Sequence, residues 1–462
     1  MHMGGLATYG PRLRRMLGER AAAHAVPGAV VGVLLDDETE VACWGLANTN
    51  TGVLATPETL FQIGSISKIY TATLLGQMAG AGVVALDEPV RAQLQKFAVA
   101  DPGATLEITP RHLLAHTSGL HGDHLIDTGW NPDALERYVA TLTQIGQVHP
   151  VDATYSFCNT GFGVAGRLIE IAAGQHFDRV LRRRLLRPIG ATSTITLPQH
   201  ALLRRVAVGH EQPQGGEQPR PIRRWPLTRS NGPMGGILAP AGEVLAFASL
   251  HVNRGVAANG TEVLPASTVS AMTEPQIESP LPDETQALPW TVRDWDGVTC
   301  IGQDGDTFGQ RSFLRVVPER RFAVCLLSNS RGGSRLAHDM LPAIVADLLG
   351  ITVPPTAATA PAGRLDDPSP FLGAYQRLHQ SLEVVASPDG ELDMTITPTG
   401  VLSELGRETF KTSLTPVDAD AGVFRAALDD GLDQVVVFTP PADESAPGAY
   451  GAYLHGRLHT RL

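Results

Sequence analysis

A short uncharged stretch divides this chain into two parts with different patterns. Residues 351–363 read ITVPPTAATAPAG, and a run rich in Pro, Ala and Thr is typical of a linker between domains. With 462 residues, the chain is long enough for two or three domains. We therefore predict a main domain over residues 1–350, the linker at 351–363 and a separate domain over residues 364–462.

The main domain combines strand and helix patterns. The predicted strands lie at residues 28–36, 40–47, 311–317 and 321–328, and the turn sequence PER joins the last two. The predicted helices lie at residues 11–24, 66–80 and 334–349, the second of them at a strand-to-helix junction. Early and late strands with helices between them indicate an α/β (α+β) fold, in which both chain ends contribute to one antiparallel sheet.

After the linker, short runs alternate apolar and polar residues and are separated by turn sequences. They lie at residues 381–387, 391–397, 422–427, 433–438 and 450–455. Closely spaced short strands of this kind are typical of a small antiparallel barrel or sandwich. The second domain is therefore predicted to be all-β.

Composition narrows the range of partners. A net charge of −11 argues against nucleic acid or an anionic membrane as a partner, because both require clustered Lys and Arg. The four cysteines have no metal-ligand spacing, and no apolar run reaches the length of a membrane helix. No secretion signal, phosphate loop or dinucleotide motif is present, so we expect a cytoplasmic protein that uses no cofactor and acts on a small-molecule or peptide substrate. The oligomeric state stays open.

The strongest chemical feature is Ser65 followed by Lys68 at the predicted strand-to-helix junction. A spacing of three residues puts both side chains on one face of a helix. The helix N-terminus favours negative charge on a serine oxygen, and a desolvated lysine loses its proton more readily. The pattern alone is also typical of a helix cap followed by a surface lysine.

The residues around this pair resemble the nucleophile segment of the serine β-lactamase and penicillin-binding-protein superfamily. The likeness is greatest to the class C β-lactamase-related serine hydrolases and esterases. Residues 59–68 read TLFQIGSISK, and further segments match in order: VPG at 26–28, LDEPV at 86–90, ITPRHLLAHTSGL at 108–120, PMGGI at 233–237 and GQDGDTFG at 302–309. The resemblance implies a β-lactamase-like sandwich with the active site between sheet and helices, followed by a lipocalin-like β domain.

Histidines in the longest matching stretch offer an alternative. His112 and His116 are four residues apart on a predicted helix, and His121 and His124 follow, which would suit a metal site. No Asp or Glu stands at a ligand spacing within the pair. The resemblance instead makes this stretch a structural segment beside the active site, and we predict no metal.

Two positions depart from the family pattern. Members usually carry a tyrosine two residues before Asn159, where this chain has Phe157, which has no proton to exchange. Tyr155 lies two residues further upstream, displaced by roughly 6–7 Å in an extended loop, and is retained as a tentative catalytic residue. Where family hydrolases have histidine before x-Gly, this chain has Gln303, which carries no charge and relays no proton near neutral pH.

The resemblance implies roles for the remaining site residues. Ser65 attacks a carbonyl, Lys68 accepts the serine proton, and Asn159 orients the substrate or Lys68. The oxyanion hole is expected from the backbone N–H of Ser65 and one near Gln310 or Arg311. Substrate contacts are expected from Phe157, Gln303, Asp304, Gly305 and Gln310. In the second domain, Arg457 or Arg461 is a candidate to meet a carboxylate, beside the commoner surface role.

Three interpretations of the departures remain open. The protein is an acyl-enzyme former with altered partners, a weakened homologue that binds a ligand without turnover, or a chain deliberately changed to trap a complex. We favour the first because the nucleophile pair is intact. The implied activity is that of a serine hydrolase or acyltransferase acting on an ester, thioester or peptide amide, with esterase, D-amino-acid peptidase and peptide-cyclising types included.

Overall fold

The computed structural model describes residues 5–211, 219–225, 227–388, 390–404, 407–428, 432–439 and 451–462. Helices in these ranges are α1 Leu6–Ala23, α2 Ser67–Gly80, α3 Val90–Gln93, α4 Pro102–Glu107, α5 Pro110–Ala115, α6 Ala134–Ala140, α7 Asn159–Ala173, α8 Phe177–Leu181, α9 Gly232–Gly235, α10 Ala241–Val252, α11 Ala266–Thr273, α12 Gly333–Leu349 and α13 Gly400–Glu404. The predicted helices at 11–24, 66–80 and 334–349 correspond to α1, α2 and α12.

The main domain is built on an antiparallel sheet to which both ends of the domain contribute, as predicted. The described strands of this domain are β1 Gly28–Leu35, β2 Glu38–Asn48, β3 Val53–Leu54, β4 Phe61–Gln62, β5 His210–Glu211, β6 Arg220–Pro221, β7 Leu238–Ala239, β8 Ile277–Glu278, β9 Thr285–Gln286, β10 Thr291–Trp295, β11 Val298–Thr307, β12 Gln310–Val317 and β13 Phe322–Ser328. Strands of the sheet run in the order β3-β2-β1-β13-β12-β11-β10-β9-β8.

Helices cover both faces of the sheet at its centre. On β1, Val31 and Val33 join the core that also contains residues of α1 and α12, whereas Val30 and Leu34 belong to the core around α10. Because alternate residues of a strand face opposite sides, a strand buried on both faces is apolar throughout. This explains the continuous apolar run of β1, which carries no polar residue.

A helical layer lies beside the sheet and holds the site. Helix α2 is buried along almost its whole length and contacts α7 and α9. In front of α2, β4 pairs with β7, and the turn after β4 packs against β11. The matching segments at residues 59–68, 233–237 and 302–309 therefore meet at the junction between the sheet and the helical layer.

The residues after the linker form a closed antiparallel barrel, which confirms the all-β prediction. Its described strands are β14 Gly373–Arg377, β15 Gln380–Ala386, β16 Leu392–Pro398, β17 Phe410–Asp418, β18 Val423–Ala427, β19 Asp433–Phe438, β20 Ala452–Leu454 and β21 Arg457–Arg461. Pairing of β14 with β21 closes the barrel. The five predicted runs correspond to β15, β16, β18, β19 and β20, although Tyr450 lies outside the described residues.

Within the described residues, no helix combines the length and the hydropathy that crossing a bilayer requires. All four cysteines are free thiols, and Cys158, Cys300 and Cys325 are buried.

Candidate active site

Ser65 lies in a short 3-10 turn, Gly64–Ile66, that runs directly into α2. Lys68 is in the first turn of α2, so the spacing of three residues places both side chains on one face, as predicted. Lys68 Nζ donates hydrogen bonds to Ser65 Oγ at 2.9 Å and to the Met234 carbonyl oxygen at 2.7 Å. The structure thus brings together the residues expected to act as nucleophile and base.

The surroundings of Lys68 favour its uncharged form. The side chain is completely buried. Burial, and after it the positive charge of Arg457, hold the pKa of Lys68 well below its ordinary value of 10.5, while Asp123 and Cys158 act in the opposite direction. A neutral amine 2.9 Å from the serine oxygen is arranged to accept its proton.

Strand β11 packs closely against the nucleophile turn, and two glycines permit the approach. A Cβ on Gly305 would stand 2.1 Å from the Ile63 carbonyl oxygen and 2.2 Å from Ser312 Oγ. Gly64 has a φ of +50°, and a Cβ there would be 2.9 Å from the backbone nitrogen of Asp306. The main-chain atoms of β11 therefore lie beside Ser65.

Because β11 lies beside Ser65, it offers a better candidate for the second oxyanion donor than β12, where the sequence led us to expect one. Strand β12 lies between β11 and β13 and pairs with both, so its N–H groups near Gln310 and Arg311 are used within the sheet. The outer edge of β11 is different, because β10 pairs with it only as far as Gly302. The Asp306 N–H, next to Gly64, is the better candidate to join the N–H of Ser65.

The other residues expected on these strands make contacts within the fold. The buried Gln310 amide accepts from the Gln62 N–H at 3.1 Å and donates to the Ala207 carbonyl oxygen at 3.2 Å. Gln303 is 9% exposed and donates to the Asp304 carbonyl oxygen, and the Asp304 carboxylate pairs with Arg315. Both carboxamides therefore already have partners, and their predicted substrate contacts stay predictions.

Phe157 stands beside Lys68, where the family tyrosine is expected. Lys68 Nζ is 4.7 Å from the centroid of the Phe157 ring, and the Arg457 guanidinium carbon is 4.6 Å from the same centroid. The His116 ring stacks on it at 4.7 Å with 24° between the planes. The position is therefore close enough to the nucleophile pair to matter, but it supplies a π face in place of a hydroxyl.

Tyr155 points away from the nucleophile pair. Its buried ring lies against the β20–β21 turn, with its hydroxyl oxygen 3.4 Å from where a Cβ on Gly456 would stand, and it meets His116 edge-on. Burial raises the pKa of Tyr155 above its ordinary value. Among the described residues, no hydrogen bond joins Tyr155 to Ser65 or Lys68, so its tentative catalytic role has no contact to support it.

Asn159 leads to a buried charge cluster that the sequence did not reveal. Its amide donates to Asp123 Oδ1 at 2.7 Å. The same carboxylate binds two barrel arginines, Arg377 at 2.6 Å and Arg457 at 2.9 Å. Burial alone would raise the pKa of Asp123, but the two guanidinium groups and the Asn159 amide hold it below its ordinary value. Burial lowers the pKa of Arg377 to about 10, so this arginine stays charged at neutral pH.

The barrel therefore reaches the active site, and the expectation that Arg457 meets a carboxylate acquires a specific partner in Asp123. Arg461 instead donates to backbone carbonyl oxygens of Pro370 and Leu372 near the barrel surface. The sequence signal for the cluster was slight: Asp123 follows shortly after the longest matching stretch, and its arginine partners are 254 and 334 residues away.

The histidines have structural roles in this arrangement. His112 completes the N-terminal cap of α5 with Thr109, and His116 Nδ1 accepts from the Cys158 N–H at 2.8 Å. In the described part of the chain, no group of three or more His, Cys, Asp or Glu side chains is placed to hold a metal ion.

Comparisons with known proteins agree with this geometry. The Beta-lactamase family model matches residues 13–348. Penicillin-binding protein 4 of Amycolatopsis lactamdurans is 38% identical over 360 residues, which are 77% of this chain and 94% of that protein. A D-aminopeptidase of Brucella anthropi is 31% identical over 183 residues, or 38% of this chain and 34% of that protein.

Solved structures extend the likeness to the barrel. The crystal structure of SurE superimposes with a TM-score of 0.79 at 24% identity and covers 99% of this chain and 100% of SurE. A structure of SurE with D-Leu gives a TM-score of 0.74 at 23% identity, with the same coverage. At these identities the likeness establishes the fold, including the barrel after the main domain.

Proposed function

Since the chain belongs to the β-lactamase family of serine hydrolases, we propose that it forms an acyl-enzyme at Ser65. The observation that carries this proposal is the hydrogen bond of 2.9 Å between Lys68 Nζ and Ser65 Oγ, made by a lysine with no exposed surface. A lysine held in this way is an activating base for a serine nucleophile.

The proposed acylation uses groups already in contact. Ser65 Oγ attacks the substrate carbonyl carbon as its proton moves to Lys68 Nζ, and the negative charge on the carbonyl oxygen is held by the N–H groups of Ser65 and Asp306. The tetrahedral intermediate then loses its leaving group, which takes the proton back from Lys68. The product is an ester between Ser65 and the acyl group.

The fate of the acyl-enzyme depends on the second nucleophile. Water gives hydrolysis, whereas an amine gives transfer or cyclisation. Phe157 and Gln303 supply no acid or base to activate water, and loss of such a group typically lowers a rate by about 10²–10⁴-fold. A free amine needs less activation than water does, so we propose that transfer to an amine competes well with hydrolysis.

For the substrate class we propose an acyl group on an ester, thioester or amide with a D-amino acid near the reacting carbonyl. Support comes from the names of two relatives, the D-aminopeptidase and SurE in its structure with D-Leu. The positive charge that Arg457 and Arg377 add beside Phe157 also suits a substrate with a free carboxylate.

The test is covalent labelling followed by mass measurement. Wild-type protein is incubated with a fluorophosphonate or with a short p-nitrophenyl ester, and the modified peptide is identified. We expect a single adduct at Ser65, with labelling lost in Ser65→Ala and slowed at least about 10²-fold in Lys68→Ala. Ser270→Ala, which removes an exposed hydroxyl on α11, is the matched control and should label like wild type.

A second candidate is a binding protein that performs no turnover, and Phe157 and Gln303 are the observations that favour it. The two functions give opposite results in the same experiment. If wild-type protein binds D-Leu-containing esters but is never modified at Ser65, the enzyme proposal is wrong. If labelling occurs and survives in Ser65→Ala, the choice of nucleophile is wrong instead.

A further inference from the structure

The barrel places the positive charge of Arg457 beside the Phe157 ring, and that charge has a consequence for Lys68. Lys68 Nζ and the Arg457 guanidinium carbon lie 4.7 and 4.6 Å from the Phe157 centroid. The two cationic groups are therefore no more than about 9.3 Å apart, with an apolar ring beside both. Charges separated by apolar side chains interact more strongly than charges in water.

From this geometry we infer that Arg457 of the barrel is a positioning residue for catalysis, which acts on Lys68 beside the Phe157 ring and disfavours its ammonium form. The inference rests on the proposed function of Lys68 as the base. It also gives the barrel a catalytic purpose, because the main domain by itself lacks this charge, which adds to the effect of burial on Lys68.

The other charges near Lys68 do not cancel this effect. The cluster of Asp123, Arg377 and Arg457 holds one carboxylate and two guanidinium groups and is positive overall. Arg457 is the member in contact with the Phe157 ring. Among the described residues, the other titratable groups near Lys68 are the buried imidazole of His116, the buried thiol of Cys158 and, on β11, the carboxylate of Asp306. That carboxylate is paired with Arg311 and with Arg407 of the barrel.

Asp123 keeps Arg457 in place without removing its influence. The carboxylate accepts from Arg457 Nε at 2.9 Å and from Arg377 Nη1 at 2.6 Å, so its one negative charge is shared between two guanidinium groups. Arg457→Met leaves the Asp123–Arg377 pair intact and neutral. This variant therefore lowers the local charge by one unit without leaving a buried carboxylate unpaired, and we expect it to fold.

The chain offers a direct measurement, because it contains only three lysines, Lys68, Lys96 and Lys411. In protein labelled with ¹³C and ¹⁵N at lysine only, each side chain can be titrated separately by NMR. We expect Lys68 to titrate well below its ordinary pKa of 10.5 in wild type. In Arg457→Met its midpoint should rise by about one pH unit, the effect of one charge at this distance in a partly polar interior.

Controls separate charge from structure. Arg364→Met removes an arginine whose side chain is 88% exposed and should leave the Lys68 midpoint unchanged. Arg457→Lys keeps the positive charge and should leave Lys68 close to its wild-type midpoint. The new lysine adds one signal to the NMR spectrum, which can be assigned separately. If Arg457→Met does not fold, Arg457→Gln is used in its place, because glutamine is uncharged but can still donate a hydrogen bond to Asp123. A Lys68 midpoint unchanged in the folded uncharged variant overturns the inference.

The pH dependence of Ser65 labelling is the second measurement. The acid limb of the rate should shift upward with the Lys68 midpoint, and raising the pH should restore the wild-type plateau. A purely structural loss would lower the plateau and leave the limb in place, which would contradict the inference. Because the NMR titration needs no turnover, failure of labelling in wild type would refute the proposed function separately from the effect of Arg457.

Discussion

At the scale of single residues, the chemistry of the site depends on Phe157, which stands where family members usually carry a tyrosine hydroxyl. The Phe157 ring lies within 5 Å of Lys68 Nζ, of the His116 ring and of the Arg457 guanidinium carbon. A phenyl ring has no proton to donate or accept. In the proposed reaction Lys68 therefore carries the proton in both directions, from Ser65 and to the leaving group.

Restoring the tyrosine and the histidine that family members usually carry at positions 157 and 303 should therefore raise the rate of ester hydrolysis. In Phe157→Tyr combined with Gln303→His, the new hydroxyl lies near Lys68 Nζ and the new imidazole stands on β11 beside the site. We expect the ester kcat to rise about 10- to 100-fold with a small change in KM, because both changes act on proton transfer. Steady-state kinetics with a p-nitrophenyl ester measure both constants.

The companion variant is Tyr155→Phe, which removes the neighbouring phenol. Its hydroxyl lies toward the Gly456 turn and not toward Ser65, so turnover by the otherwise wild-type chain should change less than twofold. No gain in the double variant would mean that Phe157 and Gln303 serve a reaction other than hydrolysis. A large loss in Tyr155→Phe would restore Tyr155 to the catalytic set.

At the scale of elements, the oxyanion hole depends on how closely β11 approaches the turn after β4. Gly305→Ala would bring a methyl group to 2.1 Å from the Ile63 carbonyl oxygen, which forces the strand and the turn apart. We expect Ser65 labelling to slow by about 10²–10³-fold, the usual effect of losing one oxyanion donor. Stopped-flow measurement of acylation tests this.

A glycine elsewhere serves as the control. Gly242, in the first turn of α10, has nothing within 4 Å of the position a Cβ would take. Gly242→Ala should leave acylation unchanged and, because alanine favours helix, leave stability equal or slightly higher. Equal acylation rates in the two variants would show that the approach of β11 is not needed for the oxyanion hole.

The elements themselves were largely accessible from the sequence where they are long. The apolar run of β1 and the helical periods of α2 and α12 fix their type, because burial on a sheet or helix face dictates the pattern. Two-residue strands such as β8 and β9 have no pattern to detect. The barrel strands β14, β17 and β21 were also missed, although each pairs with a neighbour in sequence. Their sequences, GAYQR, FKTSLTPVD and RLHTR, contain few apolar residues and so show no clear alternation.

At the site, too, only features encoded by a local sequence pattern could be predicted. Ser65 and Lys68 are local, and a spacing of three residues was sufficient to place them together. Asp123 was not identified because its role exists only once Arg377 and Arg457 arrive from the barrel. The donor expected on β12 was misplaced because strand order, which decides the free edge of β11, is a property of the whole sheet.

At the scale of the whole molecule, the barrel and the main domain share a polar junction around Asp123. The loop before α7 meets the β20–β21 hairpin, where the Phe157 N–H donates to the Gly456 carbonyl oxygen at 2.9 Å and the Leu458 N–H donates to Ser156 Oγ at 3.2 Å. Beside these bonds, Asp123 binds both arginines. We infer that the two domains unfold as coupled units.

Asp123→Asn should uncouple them. The variant leaves the guanidinium groups of Arg377 and Arg457, whose side chains are 11% and 23% exposed, without a counter-charge. Removing one partner of a buried ion pair typically costs about 3–5 kcal/mol of unfolding free energy, and partial exposure places the expected cost at the lower end of that range. Urea unfolding at pH 7, followed by tryptophan fluorescence and circular dichroism, should show an earlier or separate transition. Asp87→Asn breaks the exposed pair with Arg111 and should cost no more than about 1 kcal/mol.

Acid should remove the difference between wild type and Asp123→Asn. The pKa of Asp123 is held below its ordinary value of 3.8, so its contribution to stability is complete above that value and is lost as the pH falls toward the lower folded value. The gap in unfolding free energy should therefore be constant from pH 7 to about 5 and shrink below pH 4. A gap that persists unchanged at pH 2.5 would mean that shape and packing at this junction, not the charge of Asp123, hold the barrel against the active site.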